Sequence, residues 1–342
     1  MIRKGEAGIM GFIEKIYEQA KADKKTVAVP ESTNEVMLKA SARVHKDGIC
    51  NIVLVGDSEA VNAKAAEIGA DISGIRIVDT KDEEYKNTLL DKYEASPKKV
   101  MGRKFVAKRI GDPVYLATLM EAVGEVDATI AGIDTTTYEF VLAANSIIGM
   151  APGCVTASGL QILELEEFQG EKDKFIGISD GAINVEPTIE QHAGIAIASC
   201  DTFKAITGIE AKCAFLSYST DGSGGMSAPV KKVRSAVELA QKLRPDLSID
   251  GEFQFDAAML PRVGEKKVKR ESRVAGHANV LITPDAACCN ICGKAIQFSA
   301  KCKSYGPLYQ GFRLPILDCS RGMDEVIAYD TIALLCVQAQ AV

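Results

Sequence analysis

Short apolar runs alternate along the chain with longer segments in which apolar residues recur every three or four positions. Each run is typical of a buried β-strand, and each longer segment has the spacing of one face of an α-helix. Strands that alternate with helices in this way form βαβ units, so the pattern predicts parallel sheets covered by helices. In the first half of the chain the predicted strands lie at 26–30, 51–56, 75–78 and 128–132.

The second half repeats the alternation, with predicted strands at 175–178, 214–220, 279–283 and 314–317. A chain of 342 residues is longer than a single core usually supports, so two domains are expected. Pro152-Gly153 interrupts the pattern and marks a candidate boundary. The predicted fold class is therefore α/β: two α/β domains with mostly parallel sheets, and a cleft between them that holds a small anionic ligand.

The last predicted strand ends at Asp318, and a short polar turn with Ser320 and Arg321 follows it. In an open parallel sheet, ligands bind at the loops that follow the carboxyl ends of the strands. A hydroxyl and a planar guanidinium at such a place are well suited to phosphate oxygens. The structural alternative is that Ser320 caps the next helix while Arg321 is a solvated surface side chain.

A second polar turn, after the strand at 128–132, is rich in threonine. It contains Thr135, Thr136 and Thr137, and an apolar helix is predicted from Phe140 onward. Backbone amides and hydroxyls at a helix N-terminus favour anions, so this turn is a candidate ligand site. The alternative is an ordinary helix cap with no ligand.

Other features narrow the choice of chemistry. The Gly-rich turn at 221–225 would let backbone approach a phosphate, but it lacks the Gly-Lys-Ser/Thr ending of a Walker loop. Asp250 and Glu252 place two carboxylates at another predicted strand end. The three histidines stand in no motif, so a Ser-His-Asp hydrolase is not expected, and His192 is predicted to be a packed or surface side chain rather than a base.

Composition and charge describe a cytoplasmic globular protein. The net charge of −6 argues against nucleic acid or a membrane as the main partner, and no run of 18 apolar residues occurs. The ten cysteines are expected to be reduced core residues. Cys289 and Cys292 form one Cys-x-x-Cys pair beside Cys288, which leaves a metal or redox site as the alternative to simple packing; no metal is expected.

Taken together, several short segments of the chain resemble the phosphate acetyltransferase and phosphate butyryltransferase family over nearly the whole length, and the acetyltransferase branch is nearest. The matching segments include Ser179-Asp180-Gly181-Ala182-Ile183-Asn184, Gly251-Glu252-Phe253-Gln254-Phe255-Asp256, Gly306-Pro307-Leu308-Tyr309-Gln310-Gly311 and Ser320-Arg321-Gly322, with others at 29–31, 112–115, 216–220, 275–280 and 284–285.

The resemblance implies a first domain at 1–152 completed by 306–342, a second at 153–305, and an active-site cleft between them. The C-terminal segment would return to the first domain. It also implies a homodimer that moves an acetyl or other short acyl group between coenzyme A and inorganic phosphate. Coenzyme A would be a substrate, and no resident cofactor is implied.

The same resemblance implies roles for individual residues. Ser320 and Arg321 would hold the ligand and stabilise charge on the carbonyl and phosphate oxygens, while a base frees the thiolate that attacks the acyl phosphate directly. Asp324 is the candidate base. The candidate substrate-binding residues are Thr135, Thr136, Thr137, Tyr305, Gly306, Gln310, Asp285 and Asn290.

The chain departs from the family at several charged positions. Val36 and Leu142 stand where the family has arginines, Thr135 replaces a histidine, and Ile327 replaces the catalytic aspartate. Two alternatives therefore accompany the acyltransferase hypothesis. One is a relative without this activity that binds a ligand or a partner. The other takes its acyl group from a protein thioester, through Cys289 or Cys319.

Overall fold

The computed structural model describes residues 11–300 and 302–342. By its internal packing the chain divides into two compact units. The first contains residues 11–95, 103–136 and 319–342, and the second contains residues 96–102 and 137–318. The chain after 318 therefore returns to the first unit, and the predicted domain boundaries at 152 and 306 both lie within the second.

The first unit is built on a four-stranded, wholly parallel sheet in the order β3-β2-β1-β4. Side-chain caps explain where two of its helices begin. Asn34 accepts two amide hydrogens at the start of α2, and Asp112 with Pro113 begins α6. The strands are β1 Thr26–Val29, β2 Asn51–Gly56, β3 Arg76–Asp79 and β4 Ala128–Ala131; the helices before the chain leaves this unit are α1 Phe12–Ala22, α2 Glu35–Lys46, α3 Ser58–Ile68, α4 Glu83–Ala95, α5 Arg103–Ala107 and α6 Pro113–Ala122.

The second unit has a mixed sheet in the order β11-β10-β5-β6-β9-β7-β8. Neighbours from β11 to β6 run antiparallel, and neighbours from β6 to β8 run parallel. The strands are β5 Ser158–Phe168, β6 Glu171–Ser179, β7 Lys212–Leu216, β8 Ser248–Phe253, β9 Val280–Ile282, β10 Lys303–Gln310 and β11 Ile316–Asp318; the helices are α7 Thr137–Ile147, α8 Ile189–Thr207, α9 Ala228–Leu243, α10 Phe255–Met259, α11 Pro261–Lys267 and α12 Ala286–Ser299.

The final helix, α13 Glu325–Ala339, belongs to the first unit and is buried over most of its length after the first turn. It packs against α1 and α2 and lies over β4 and β1. Its apolar side chains therefore complete the core of the four-stranded sheet, and this burial holds the C-terminal segment in the first unit.

Two segments differ from their predicted structure. The basic amphipathic stretch at 98–109 predicts a helix with a solvated face, but only Arg103–Ala107 is helical; Gly102 and Gly111, residues of low helix propensity, lie on either side of it. The long hairpin of β5 and β6 was represented by one strand at 175–178. Its turn uses Gln169 and Gly170, both with positive φ, which is the conformation that a tight hairpin requires.

Within residues 11–300 and 302–342, no helix combines the length and the hydropathy that crossing a bilayer requires.

Candidate active site

The threonine loop, residues 132–136, is organised by one carboxylate. Glu31 lies just after β1 and is almost fully buried. Its two oxygens accept hydrogen bonds from four successive backbone amides of the loop, at N···O distances of 2.7 to 3.0 Å. The donors are the amides of Gly132, Ile133, Asp134 and Thr135.

These bonds correct one sequence expectation. The turn was predicted to offer its backbone amides to a ligand anion. That prediction is wrong for the amides of 132–135, because a carboxylate of the protein itself already occupies the concave row of donors. The side-chain hydroxyl of Thr135 makes no hydrogen bond within residues 11–300 and 302–342, so it remains a donor for a ligand.

The loop is also tied to the start of α2. Asn34 Nδ2 donates to both carboxylate oxygens of Asp134, at 3.1 and 3.0 Å, while Asn34 Oδ1 caps the helix. The carboxyl ends of β1 and β4 are thus joined through side chains as well as through the sheet. This is the edge at which ligands bind in parallel sheets.

The Ser-Arg turn, residues 319–323, begins at the same edge. The amide of Cys319 donates to the carbonyl of Ala131, the last residue of β4, over 2.7 Å. Ser320 and Arg321 follow and are exposed. In the described part of the chain, the Arg321 guanidinium makes no hydrogen bond or ion pair, so its five donors are available to an anionic ligand.

The structural alternative for Ser320 was that it caps the next helix. The N-cap of α13 is instead Asp324, whose Oδ1 accepts the amide hydrogen of Ile327 over 2.9 Å. Asp324 is exposed and was the candidate base. Its second oxygen has no hydrogen-bond partner among the described residues, so capping leaves one carboxylate oxygen for a proton.

Three of the four positions that depart from the family are apolar, and these three are partly or largely accessible. Ile327 is 48% exposed in the first turn of α13, next to Val326 at 56%. In the first turn of α2, Val36 is half-buried. Leu142, on α7 in the second unit, is exposed. None of these three side chains can donate a hydrogen bond or carry a charge.

In the second unit, Asp318 links β11 to its neighbours. Its Oδ2 accepts a hydrogen bond from Thr137 Oγ1 over 2.6 Å and from the Tyr309 hydroxyl over 3.0 Å. Burial, and then the nearby charge of Asp318, raise the pKa of Tyr309 well above its usual value. Because its hydroxyl donates to Asp318, Thr137, a candidate ligand contact, is engaged with protein in this structure.

The other candidate residues of the second unit lie in different settings. Tyr305 is buried and donates to Glu164 over 2.6 Å, and Gln310 is buried and donates to the hydroxyls of Ser158 and Ser199. These bonds join β10 to β5 and to α8. Gly306, also on β10, has φ +101°, and an added Cβ would lie 2.6 Å from the amide nitrogen of Leu308, so only glycine fits there.

The last two candidates lie on α12. Asp285 is its N-cap and accepts the amide hydrogen of Cys288 over 2.7 Å. Asn290 is exposed on the same helix. Capping accounts for Asp285, whereas the exposed amide of Asn290 is accessible to a ligand.

Two further buried carboxylates resemble Glu31 in their use. Asp180 follows β6 and accepts four amide hydrogens, from Gly159 and from residues 182–184. Glu252, at the end of β8, accepts from the Gly222 amide and the Ser219 hydroxyl. The Gly-rich turn at 221–225 is thus held by Glu252. Sequence reasoning missed this role for all three residues, although each carboxylate stands at or just after a strand end.

The cysteine cluster lies on α12. Cys289 is buried against the core of the second unit, whereas Cys288 and Cys292 are half-buried. Burial raises the pKa of the Cys289 thiol to about 12, and burial followed by the neighbouring Asp285 raises that of Cys288. Cys289 is therefore protonated at neutral pH. Cys319 is also buried.

Comparison with known proteins places this geometry in a family. Residues 11–336 match the family described as phosphate acetyl/butaryl transferase. A phosphate acetyltransferase from Clostridium acetobutylicum is 38% identical over 332 residues, which cover 97% of this chain and 99% of that protein.

Solved structures agree. A phosphotransacetylase from Streptococcus pyogenes superposes with a TM-score of 0.86 at 29% identity, covering 96% of this chain and 98% of that one. A phosphotransacetylase from Staphylococcus aureus superposes with a TM-score of 0.84 at 28% identity, covering 96% and 99%. The two-unit α/β fold, the Ser-Arg turn and the full-length match together confirm the resemblance: the chain belongs to the phosphate acetyl- and butyryltransferase family.

Proposed function

We propose that this chain transfers a short acyl group between coenzyme A and inorganic phosphate. The single observation that carries the proposal is Arg321. Its guanidinium is exposed in the turn that begins at the end of β4, and it has no hydrogen bond or ion pair in the described part of the chain. Family membership supports the same assignment.

The proposed chemistry follows from three functional groups: the hydroxyl of Ser320, the guanidinium of Arg321 and the carboxylate of Asp324. Arg321 and Ser320 bind the phosphate and carbonyl oxygens of the acyl phosphate, and their hydrogen bonds strengthen as negative charge develops. Asp324 accepts the thiol proton of coenzyme A on the carboxylate oxygen that does not cap α13. The thiolate sulfur then forms a bond to the carbonyl carbon, and the bond from that carbon to the phosphate oxygen breaks, which releases inorganic phosphate.

Among the remaining candidates we assign ligand contacts to the threonine loop, through Thr135 and Thr136, and to Asn290. The hydroxyl of Thr135 is unpaired among the described residues, and Asn290 is exposed. For Thr137, Tyr305, Gly306, Gln310 and Asp285 we propose support of the surrounding backbone, because each is engaged with protein or has a conformational role in this structure.

We further propose a cytoplasmic homodimer that uses coenzyme A as a substrate and needs no resident cofactor. The net charge of −6 supports an aqueous rather than a membrane setting, and the homodimer follows from the family resemblance. The alternative route through a thioester on Cys289 is not favoured, because a buried thiol with a pKa of about 12 supplies almost no thiolate at neutral pH.

The test is thioester formation from coenzyme A and acetyl phosphate, followed by the ultraviolet absorbance of the product, and repeated with propionyl and butyryl phosphate. We expect turnover with at least one of the three. Absence of thioester with all of them, in a protein that is folded by circular dichroism, would leave the ligand-binding alternative. Light scattering of the same sample tests the dimer.

A further inference from the structure

We propose that Glu31 is a positioning residue that acts through Thr135. The carboxylate is an internal anion that holds the threonine loop, and the loop in turn holds the Thr135 hydroxyl for the substrate. The kinetic part of this proposal rests on the proposed function, whereas its structural part can be measured without turnover.

The geometry is that of an anion in a row of amides. Oε1 of Glu31 accepts from Gly132, Asp134 and Thr135, and Oε2 accepts from Ile133. Rows of successive amides of this kind bind phosphate groups in many proteins. Here a side chain more than 100 residues earlier in the chain fills the row.

Glu31 is itself held in place, so it can impose a conformation on the loop. The carbonyl of Glu31 accepts the amide hydrogen of Asn34 over 3.0 Å. The next residue, Ser32, is buried and donates its hydroxyl hydrogen to the carbonyl of Val55 in β2 over 2.9 Å. The carboxylate thus projects from a segment that is tied to α2 and to the sheet.

The shortest of the four hydrogen bonds joins Glu31 to Thr135, whose amide nitrogen lies 2.7 Å from Oε1. The hydroxyl of that residue has no hydrogen-bond partner within residues 11–300 and 302–342. Because its backbone is fixed by Glu31, the hydroxyl loses less conformational freedom when it binds a substrate oxygen. The occupied amides also force a substrate anion to bind to side chains, Thr135 and Arg321, rather than to backbone.

A double-mutant cycle tests the proposal. Glu31→Gln keeps the shape of the side chain but removes its charge and replaces one acceptor oxygen by an NH2 group, so at least one of the four bonds is lost and the others weaken. We expect Glu31→Gln to lower kcat/KM for acetyl phosphate at least about tenfold and Thr135→Ala to lower it by a similar factor. The double variant should be no worse than the poorer single variant. Losses that multiply in the double variant would overturn the proposal.

Hydrogen exchange of the 132–135 amides gives a readout that needs no activity. We expect protection to fall in Glu31→Gln. Glu252→Gln is the matched control, since it removes the other buried glutamate that holds a turn, and it should leave exchange at 132–135 unchanged. Unchanged protection in Glu31→Gln would refute the proposal.

Should Glu31→Gln fail to fold, the cycle is run with Glu31→Asp, whose shorter side chain lengthens the four bonds. If the wild-type protein forms no thioester, the proposed function fails, and the exchange experiment still decides whether Glu31 anchors the loop.

Discussion

The hydroxyl of Tyr309 donates a hydrogen bond to Asp318 Oδ2 over 3.0 Å, and both residues are buried in the second unit. Asp318 is the last residue of β11 and directly precedes the Ser-Arg turn. Burial and the charge of Asp318 raise the pKa of Tyr309, so the phenol stays protonated and keeps donating throughout the usual pH range. The bond therefore anchors the strand end from which the turn departs.

Replacing Tyr309 with Phe should lower the free energy of unfolding by about 1 to 3 kcal/mol, because a buried carboxylate loses one charge-assisted donor. Urea denaturation of the variant measures this. Tyr138→Phe is the control, since Tyr138 is 74% exposed and its variant should match wild type. Equal stability of the two variants would show that the Tyr309 bond contributes nothing.

The strands of the first sheet could be predicted because each is a continuous apolar run between polar turns. β1, β2 and β4 coincide with predicted runs to within one or two residues. The hairpin of β5 and β6 was harder to predict, since residues 169–173 are polar or glycine and exposed, and its pairing depends on a turn formed by Gln169 and Gly170.

The polar turns were predicted at the right places, but the partners of their amides were not. The amides of 132–135 are bonded to Glu31 and the amide of Gly222 is bonded to Glu252, which lie about 100 and 30 residues away in sequence. A local pattern cannot show such a partner, because the fold alone brings the carboxylate to the amides. Arg321, in contrast, keeps its donors free among the described residues.

His192 should make stability depend on pH. Its Nε2 lies 2.9 Å from the carbonyl of Thr283, and its Nδ1 is buried without a hydrogen-bond partner in the described part of the chain. Burial lowers the pKa of His192 from 6.5 to about 4. Of the two settings predicted for His192, packed or at the surface, the structure shows the packed one.

The direction of this pH dependence follows from which chain, folded or unfolded, binds the proton at the higher pH. As pH falls below about 6.5 the unfolded chain takes up a proton at His192 while the folded chain does not, so stability declines until about pH 4. The expected decline from this residue is about 3 kcal/mol. Urea denaturation at several pH values measures it. His192→Gln, which keeps a donor for Thr283 but does not titrate, should flatten the profile, and an unchanged slope would contradict the assignment.

Cys289 should be dispensable for turnover. Its thiol is buried and has a pKa of about 12, so it supplies no nucleophile at neutral pH. Cys289→Ser is expected to keep thioester formation within about twofold of wild type. Mass spectrometry of the wild-type protein after incubation with acetyl phosphate should find no acetyl group on this residue. A labelled Cys289 together with an inactive serine variant would instead support the protein-thioester route.

The most direct test of the proposed function is kcat/KM for acetyl phosphate in variants of Arg321. Arg321→Ala should lower it about 100-fold or more, since the charge that stabilises the transition state is lost. The kcat/KM of Arg321→Lys should lie between those of Arg321→Ala and wild type, because lysine keeps the charge but not the planar pair of donors. Arg262→Ala, at an exposed arginine on α11, should match wild type. Equal rates for the Arg321→Ala and Arg262→Ala variants would contradict the assignment of the Ser-Arg turn as the catalytic site.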